Sequence, residues 1–246
     1  MEKKTINRRK LLILFTPPAV IIALILGFLI YSASYYHADD TALAALHSDS
    51  LVAVSETDYG WFFDGPSKEN VLVFYPGAKV EETAYASILH RLAEENLDVC
   101  LVRMPLRFAF LGINKADSVL RGYDYRHCFI GGHSLGGAMA TRYASDHGDK
   151  IDGVILLAAY AYGQLDKDMF ELVIYGTDDR IVSRNKIEDG RETATDRYIE
   201  LCIEGGNHAQ FGNYGAQSGD GTALITADEQ QSETIRTIVK TIKDYE

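Results

Sequence analysis

The hydrophobic and polar positions of residues 51–246 form two alternating patterns, one typical of buried strands and one typical of amphipathic helices. Short, nearly continuous apolar runs such as NVLVFYPG (70–77) indicate strands buried on both faces. Further runs of this kind are LDVCLVRMP, HCFIGG, DGVILLAAY, FELVIYG and RYIELCIEGG. The stretches between several of them, such as VEETAYASILHRLAEEN, carry apolar residues at helical spacing. This alternation predicts an α/β fold, in which a mostly parallel sheet is flanked by helices.

The ends of the predicted strands indicate where a ligand would bind. In open parallel sheets, ligands bind in the crevice beyond the carboxyl ends of the strands. Candidate chemistry is therefore expected in the loops after Tyr75, Ile130, Tyr175 and Ile203. Only a short segment, AYGQLDKDM, separates the fifth and sixth parallel strands, which predicts a site without a large lid.

The N-terminal segment is typical of a membrane signal. Residues 11–31 contain no charged side chain, and about 20 apolar residues suffice to span a bilayer as a helix. The preceding MEKKTINRRK carries five basic residues, which by the positive-inside rule keeps the N-terminus cytoplasmic. Pro17 and Pro18 leave a second interpretation open, a cleaved signal peptide with SAS (32–34) as the cleavage site.

These features predict a membrane-bound protein with its main domain on the extracytoplasmic side, or a secreted protein if the signal is cleaved. The predicted parts are a basic cytoplasmic tail (1–10), a transmembrane signal-anchor (11–33), a linker (34–50) and a globular domain (51–246). The expected partner of the anchor is the lipid bilayer.

The charge and the motifs exclude several classes of function. The net charge is −11, and the first ten residues are basic, so the rest of the chain is more acidic still; this argues against nucleic acid as a partner. Neither phosphate-binding glycine motif, G-x-x-x-x-G-K-[ST] or G-x-G-x-x-G, is present. The three cysteines show no C-x-x-C spacing, so neither a metal ion nor a cofactor is predicted.

The stretch CFIGGHSLGGAMA (128–140) contains the strongest candidate chemistry. Gly132–Gly136 fits G-x-S-x-G, and it follows a predicted buried strand and opens a predicted helix. This is the setting of a nucleophile elbow, a sharp strand-to-helix turn that exposes a serine hydroxyl. Ser134 is therefore the candidate nucleophile, and the free N–H groups of the helix N-terminus favour developing negative charge beside it.

A serine hydroxyl needs a general base to act as a nucleophile. Of the seven histidines, only His208 follows a predicted strand that comes after an acid-bearing loop, as the order Ser, acid, His requires. Asp178 and Asp179 both follow the strand FELVIYG, and their spacing alone does not choose between them.

Together these motifs resemble the α/β-hydrolase superfamily, most closely its dienelactone-hydrolase-like and small-esterase branch. The resemblance covers residues 51–246 and rests on FYPGAKVE, GGHSLGGAMA, YGTDDRIV and GGNHAQFG. It implies a Ser-Asp-His triad, and the family pattern G-x-x-D-x-x-V favours Asp179 as the acid. It also implies an oxyanion hole from the backbone N–H groups of Leu135 and Ala78. One departure is that the loop holding Ala78 begins Pro-Gly, where the family commonly has His-Gly.

The resemblance implies an enzyme, a serine hydrolase that cleaves carboxylic esters or lactones of small molecules through an acyl-enzyme. Two alternatives stay open, an envelope acyltransferase or amidase with the same triad and a non-catalytic binding protein on the same fold. Lys79, Tyr214 and Gln217 are candidate substrate contacts. The cysteines, Cys100, Cys128 and Cys202, lie in apolar strand runs and are expected to be buried, reduced thiols. In the family's strand order, the strand that holds Cys100 and the strand that holds Cys128 lie on either side of the strand VLVFY.

Overall fold

The computed structural model describes residues 8–245, and it describes side chains for Pro18 and from Val20 onward. These residues form two compact units, and the boundary between them follows Tyr35. The first unit contains a single long helix, α1, Arg8–Ala33. In the part of the chain that the structure describes, no helix combines the length and the hydropathy that a membrane crossing requires.

The predicted membrane segments therefore stay predictions. Residues 1–7, most of the predicted basic tail, lie outside the described residues. The anchor predicted over 11–33 falls within α1, and many of its side chains are also outside the described set.

The second unit is built on one eight-stranded sheet of order β1-β2-β4-β3-β5-β6-β7-β8. Its strands are β1 Ala53–Thr57, β2 Gly60–Asp64, β3 Asn70–Tyr75, β4 Leu97–Val102, β5 His127–His133, β6 Gly153–Leu157, β7 Phe170–Gly176 and β8 Arg197–Ile203. β2 pairs antiparallel with β1 and β4, and the pairs from β4 to β8 are all parallel. The predicted α/β fold is confirmed, and β1 and β2 form an antiparallel hairpin at its start.

Helices cover both faces of the sheet. They are α2 Asp40–Ala44, α3 Ala86–Glu94, α4 Ala116–Leu120, α5 Leu135–Asp146, α6 Arg184–Arg191 and α7 Ala227–Tyr245. Successive residues of β3 point to opposite faces, so Leu72 and Phe74 belong to the core beneath α3 and α7. Val71, Val73 and Tyr75 belong to the core beneath α4 and α5. The central strands are thus buried on both faces, which is why they read as continuous apolar runs.

The segment assigned from sequence to a linker, residues 34–50, differs from that prediction. From Tyr36 onward it belongs to the compact second unit. Ala42 on α2 is fully buried, and Tyr36 forms a parallel bridge with Val80. The reason is that this segment supplies small apolar side chains to the core, which its short, mixed composition does not reveal.

The order of strands places the carboxyl ends of β3, β5, β6, β7 and β8 along one edge of the sheet. No helix lies between Leu157 and Phe170, so the described chain has no helical lid there. The strands that hold Cys100 and Cys128 lie on either side of β3, as expected. All three cysteines are free, but only Cys100 is buried, whereas Cys128 is half-buried and Cys202 is exposed. Cys202 lies on β8, an edge strand, so its run of apolar residues is only partly covered.

Candidate active site

Ser134 occupies the sharp turn between β5 and α5. Its backbone adopts φ 53° and ψ −123°, a left-handed φ that an L-residue holds only at a cost of about 1–3 kcal/mol. The turn is so tight that a Cβ at Gly132 or Gly136 would overlap the carbonyl oxygen of Tyr75 on β3. The two glycines of the motif are therefore required by the approach of backbone to backbone.

His208 and Asp179 form a buried pair beyond the ends of β8 and β7. The Nδ1 atom of His208 lies 2.8 Å from Oδ2 of Asp179, and both side chains are fully buried. The other oxygen, Oδ1 of Asp179, accepts hydrogen bonds from the N–H groups of Ile181 and Val182. Asp178 instead contacts the Thr177 hydroxyl, at 3.2 Å. The structure thus brings Asp179, rather than its neighbour, to the imidazole.

The Asp179 carboxylate accepts the Nδ1–H of His208, which leaves Nε2 as the atom able to take a proton. Nε2 is buried and has no hydrogen-bond partner among the described residues, so it is not bonded to the Ser134 hydroxyl here. Ser134 and His208 nevertheless line the same cavity of about 270 Å³. Bonds between catalytic groups are often long before a substrate binds, and the serine hydroxyl turns about a single torsion.

The two expected oxyanion donors lie at the start of α5 and in the loop after β3. Leu135 is the first residue of α5, and the first N–H groups of a helix have no intrahelical acceptor. The Ala78 N–H has no partner among the described residues, while its neighbours Gly77 and Lys79 donate to Tyr85 Oη and to the Arg107 carbonyl. Hydrogen bonds on both sides of Ala78 therefore fix the loop, while the Ala78 N–H is left available as a donor.

A buried network that the sequence did not reveal connects this loop to His208. The Tyr85 hydroxyl accepts the Gly77 N–H at 3.1 Å and lies 2.8 Å from Nδ1 of His133. Nε2 of His133 lies 3.0 Å from the His208 carbonyl oxygen. A carbonyl only accepts, so His133 carries its proton on Nε2 and Tyr85 donates to Nδ1. Burial is the main cause that holds the pKa of His133 well below 6.5, and the charge of the nearby His208 lowers it further.

The candidate substrate contacts lie apart from the Ser134 cavity. Tyr214 is buried, its ring packs near Tyr85, and its hydroxyl donates to Gln217 Oε1 at 3.0 Å. Neither of these residues, nor Lys79, is among those that line the cavity. Tyr214 differs from the prediction because its ring packs in the core against Tyr85 and other aromatic side chains. Gln217 is held near it by the hydrogen bond from the Tyr214 hydroxyl.

Other residues line the cavity instead, on the segment after β6 and on α6. Its wall includes Tyr160 and Lys186, whose Nζ donates to the Tyr160 hydroxyl at 3.0 Å and lies 4.8 Å from its ring centre. The hydrogen bond to Tyr160 raises the pKa of Lys186. No sequence motif marks either residue, because they lie in loops and a weakly patterned helix.

Comparison with known proteins identifies the family and the fold. Residues 71–232 match the alpha/beta hydrolase family, and the chain belongs to that family. The fold is similar to that of a carboxyl esterase from the mycorrhizal fungus Tuber melanosporum (TM-score 0.60, 11% identity, covering 86% of this chain and 91% of that one). It is also similar to Est1E from Butyrivibrio proteoclasticus (TM-score 0.56, 14% identity, 79% and 100%). A soluble variant of monoglyceride lipase from Saccharomyces cerevisiae gives a TM-score of 0.57 at 11% identity, over 81% and 97%. No curated protein sequence matches the chain.

Proposed function

We propose that this protein is a serine hydrolase that cleaves carboxylic esters or lactones of small molecules through an acyl-enzyme at Ser134. The observation that carries the proposal is the buried His208–Asp179 pair. Nε2 of its histidine has no hydrogen-bond partner among the described residues, and the histidine shares a cavity with Ser134. Esterases and a lipase among the structural neighbours support the same class of reaction.

In the proposed mechanism, Ser134 Oγ attacks the ester carbonyl carbon while its proton passes to Nε2 of His208. Asp179 fixes the imidazole tautomer and stabilises the imidazolium that forms. The N–H groups of Leu135 and Ala78 stabilise the oxyanion, each by about 3 kcal/mol. The C–O bond then breaks, and the His208 proton passes to the leaving alkoxide. Water deprotonated by His208 hydrolyses the acyl-enzyme and restores the serine.

The size of the cavity supports small acyl groups as substrates. Sites for drug-sized ligands occupy about 300–1,000 Å³, and the cavity beside Ser134 is about 270 Å³. We therefore expect acetyl and butyryl esters to react faster than long-chain esters.

Labelling with a fluorophosphonate probe, together with a panel of p-nitrophenyl esters, tests the proposal. The wild-type chain should label and hydrolyse short esters, and Ser134→Ala should do neither. A folded Ser134→Ala variant that labels as the wild type does would refute the assignment of the nucleophile. Product formation with an added alcohol acceptor measures whether transfer competes with hydrolysis.

We further propose that residues 11–33 anchor the protein in a membrane, with the second unit on the extracytoplasmic side. This part rests on the sequence alone, on the uncharged stretch and the basic residues before it. The protein should resist alkaline extraction of membranes and be digested by protease added from outside. Recovery in the cytosolic fraction would contradict the anchor, and a mature N-terminus near residue 35 would show cleavage.

A further inference from the structure

A group of three potential metal ligands lies where the segment before β1 meets α3. His90 and Glu94 are four residues apart on α3 and share one face of the helix. Asp49 approaches them from the turn that precedes β1. One ligand atom from each of the three lies within 4.8 Å of the others. None of the three lines the cavity that holds Ser134.

The hydrogen bonds of His90 determine where its proton lies. Nδ1 is 2.9 Å from the carbonyl oxygen of Ala45, which can only accept, so Nδ1 carries a hydrogen. In the neutral imidazole, Nε2 is then an unprotonated acceptor. It lies 3.1 Å from Oδ2 of Asp49.

Asp49 places a carboxylate oxygen at the same point. Its Oδ1 accepts the N–H groups of Leu51 and Val52, both at 2.8 Å, which fixes the orientation of the carboxylate. Oδ2 therefore presents a lone pair to the lone pair of His90 Nε2. Two acceptors at this distance repel each other unless a cation, either a proton or a metal ion, lies between them.

We propose that Asp49, His90 and Glu94 bind a divalent transition-metal ion of the Zn²⁺ type. Imidazole nitrogen and carboxylate oxygen are both zinc ligands, and three protein ligands leave a fourth position for water. Ligand atoms around a tetrahedral zinc ion are about 3.3 Å apart, close to the separation of His90 and Asp49. Glu94 is exposed, so its side chain is free to move the remaining distance.

The surroundings of the ligands also suit a metal site. A metal-bound histidine usually donates its other N–H to a carbonyl or carboxylate, as His90 does to Ala45. The backbone N–H groups on Asp49 hold the second ligand in place in a similar way. The bound ion would join the segment containing α2 to α3, and its expected role is to stabilise the domain.

Titration of the EDTA-treated full chain with Zn²⁺, followed by calorimetry and thermal unfolding, tests this proposal. We expect one Zn²⁺ per chain and a rise in Tm. Glu94→Gln and Asp49→Asn should weaken binding at least about tenfold. His37→Ala is the matched control, because His37 is exposed and lies 3.2 Å from Glu81 in a similar histidine–carboxylate pair; it should bind Zn²⁺ as the wild type does.

The exposed position of Glu94 keeps the test decisive, since Glu94→Gln should fold normally and circular dichroism can verify this. Failure of the wild type to bind Zn²⁺ would refute the site and leave an imidazolium–carboxylate ion pair between His90 and Asp49. Unchanged binding by folded Glu94→Gln would also refute it, because the ion would then lie elsewhere.

Discussion

Two adjacent aspartates follow β7, and their side chains have quite different surroundings. Asp179 is buried, and three hydrogen bonds use its two oxygens. Asp178 is half-buried and contacts only a threonine hydroxyl through its side chain. The difference arises because the turn after β7 directs alternate side chains toward and away from His208. Of two neighbouring aspartates, therefore, one is buried against His208 and the other is half-buried away from it.

Asp179→Asn should lower the turnover of short esters by up to about four orders of magnitude, because the amide stabilises the wrong imidazole tautomer. Asp178→Asn is the matched control and should cost little. Steady-state kinetics on both variants measures the effect, and the opposite ranking would assign the acid to Asp178.

His133 makes stability depend on pH. Burial depresses its pKa in the folded state below the ordinary value of 6.5, so folding favours the neutral imidazole. Below pH 6.5 the unfolded chain binds a proton that the folded chain does not. The stability that this group contributes is therefore present above pH 6.5 and is lost as the pH falls.

We expect the free energy of unfolding to fall with pH below 6.5 by up to about 1.4 kcal/mol per pH unit from this residue. His133→Asn should flatten that dependence, whereas His47→Asn, at an exposed position, should leave it unchanged. Urea unfolding at several pH values measures the slopes. Equal slopes for the wild type and His133→Asn would show that His133 is not the source.

At the scale of elements, Tyr85 and His133 connect three parts of the site. The Tyr85 hydroxyl accepts the N–H of Gly77 in the loop after β3 and donates to His133 at the end of β5. His133 in turn donates to the carbonyl of His208 in the loop after β8. Each hydrogen bond in this series has a fixed donor and acceptor. The relative positions of the proposed oxyanion donor, nucleophile and base therefore depend on one buried hydroxyl.

Tyr85→Phe should lower kcat more than it raises KM, because the Gly77 N–H and His133 Nδ1 both lose their partner. It should also cost about 1–3 kcal/mol of stability for each buried group left unpaired. Tyr143→Phe is the control, since Tyr143 is buried and donates to Asp117 but does not contact the network. Similar losses of kcat in both variants would mean that Tyr85 acts only through stability.

At the scale of the whole molecule, the position of each strand in the sheet determines the reactivity of its cysteine. Burial raises the pKa of Cys100 to about 12, and burial together with Asp152 raises that of Cys128 to about 11. Cys202 is exposed on the edge strand β8. Because the thiolate is the reactive form, the cysteines on the inner strands should be protected.

Native protein should therefore show one rapidly reacting thiol with a disulfide reagent, and the other two should react only after denaturation. Cys202→Ser should abolish the rapid phase. Rapid reaction of all three thiols in the native state would contradict the arrangement of strands.

Local patterns predict the strands and the elbow, because each depends on residues close together in the chain. Asp179 and His208 are 29 positions apart, and the resemblance to the family, rather than spacing alone, favours Asp179 over Asp178. The exposure of Cys202 depends on which strand lies at the edge of the sheet. Tyr85 and His133 are 48 positions apart, and His90 is 41 positions from Asp49. Such contacts follow from tertiary packing, so a spacing motif cannot reveal them. The same limit applies to Tyr214, a predicted substrate contact whose burial among aromatic side chains depends on tertiary packing.

The bridge between Tyr36 and Val80 has a mechanical consequence. The Tyr36 N–H donates to the Lys79 carbonyl, and the Tyr36 carbonyl accepts the Glu81 N–H. The chain leaving α1 is thus hydrogen-bonded within three residues of its end to the loop that holds Ala78. A truncated protein that begins at residue 51 would lack this connection, and the loop that holds Ala78 would lose its hydrogen bonds to Tyr36. One that begins just before Tyr36 would retain it, and any pull on the N-terminal segment would reach the loop directly.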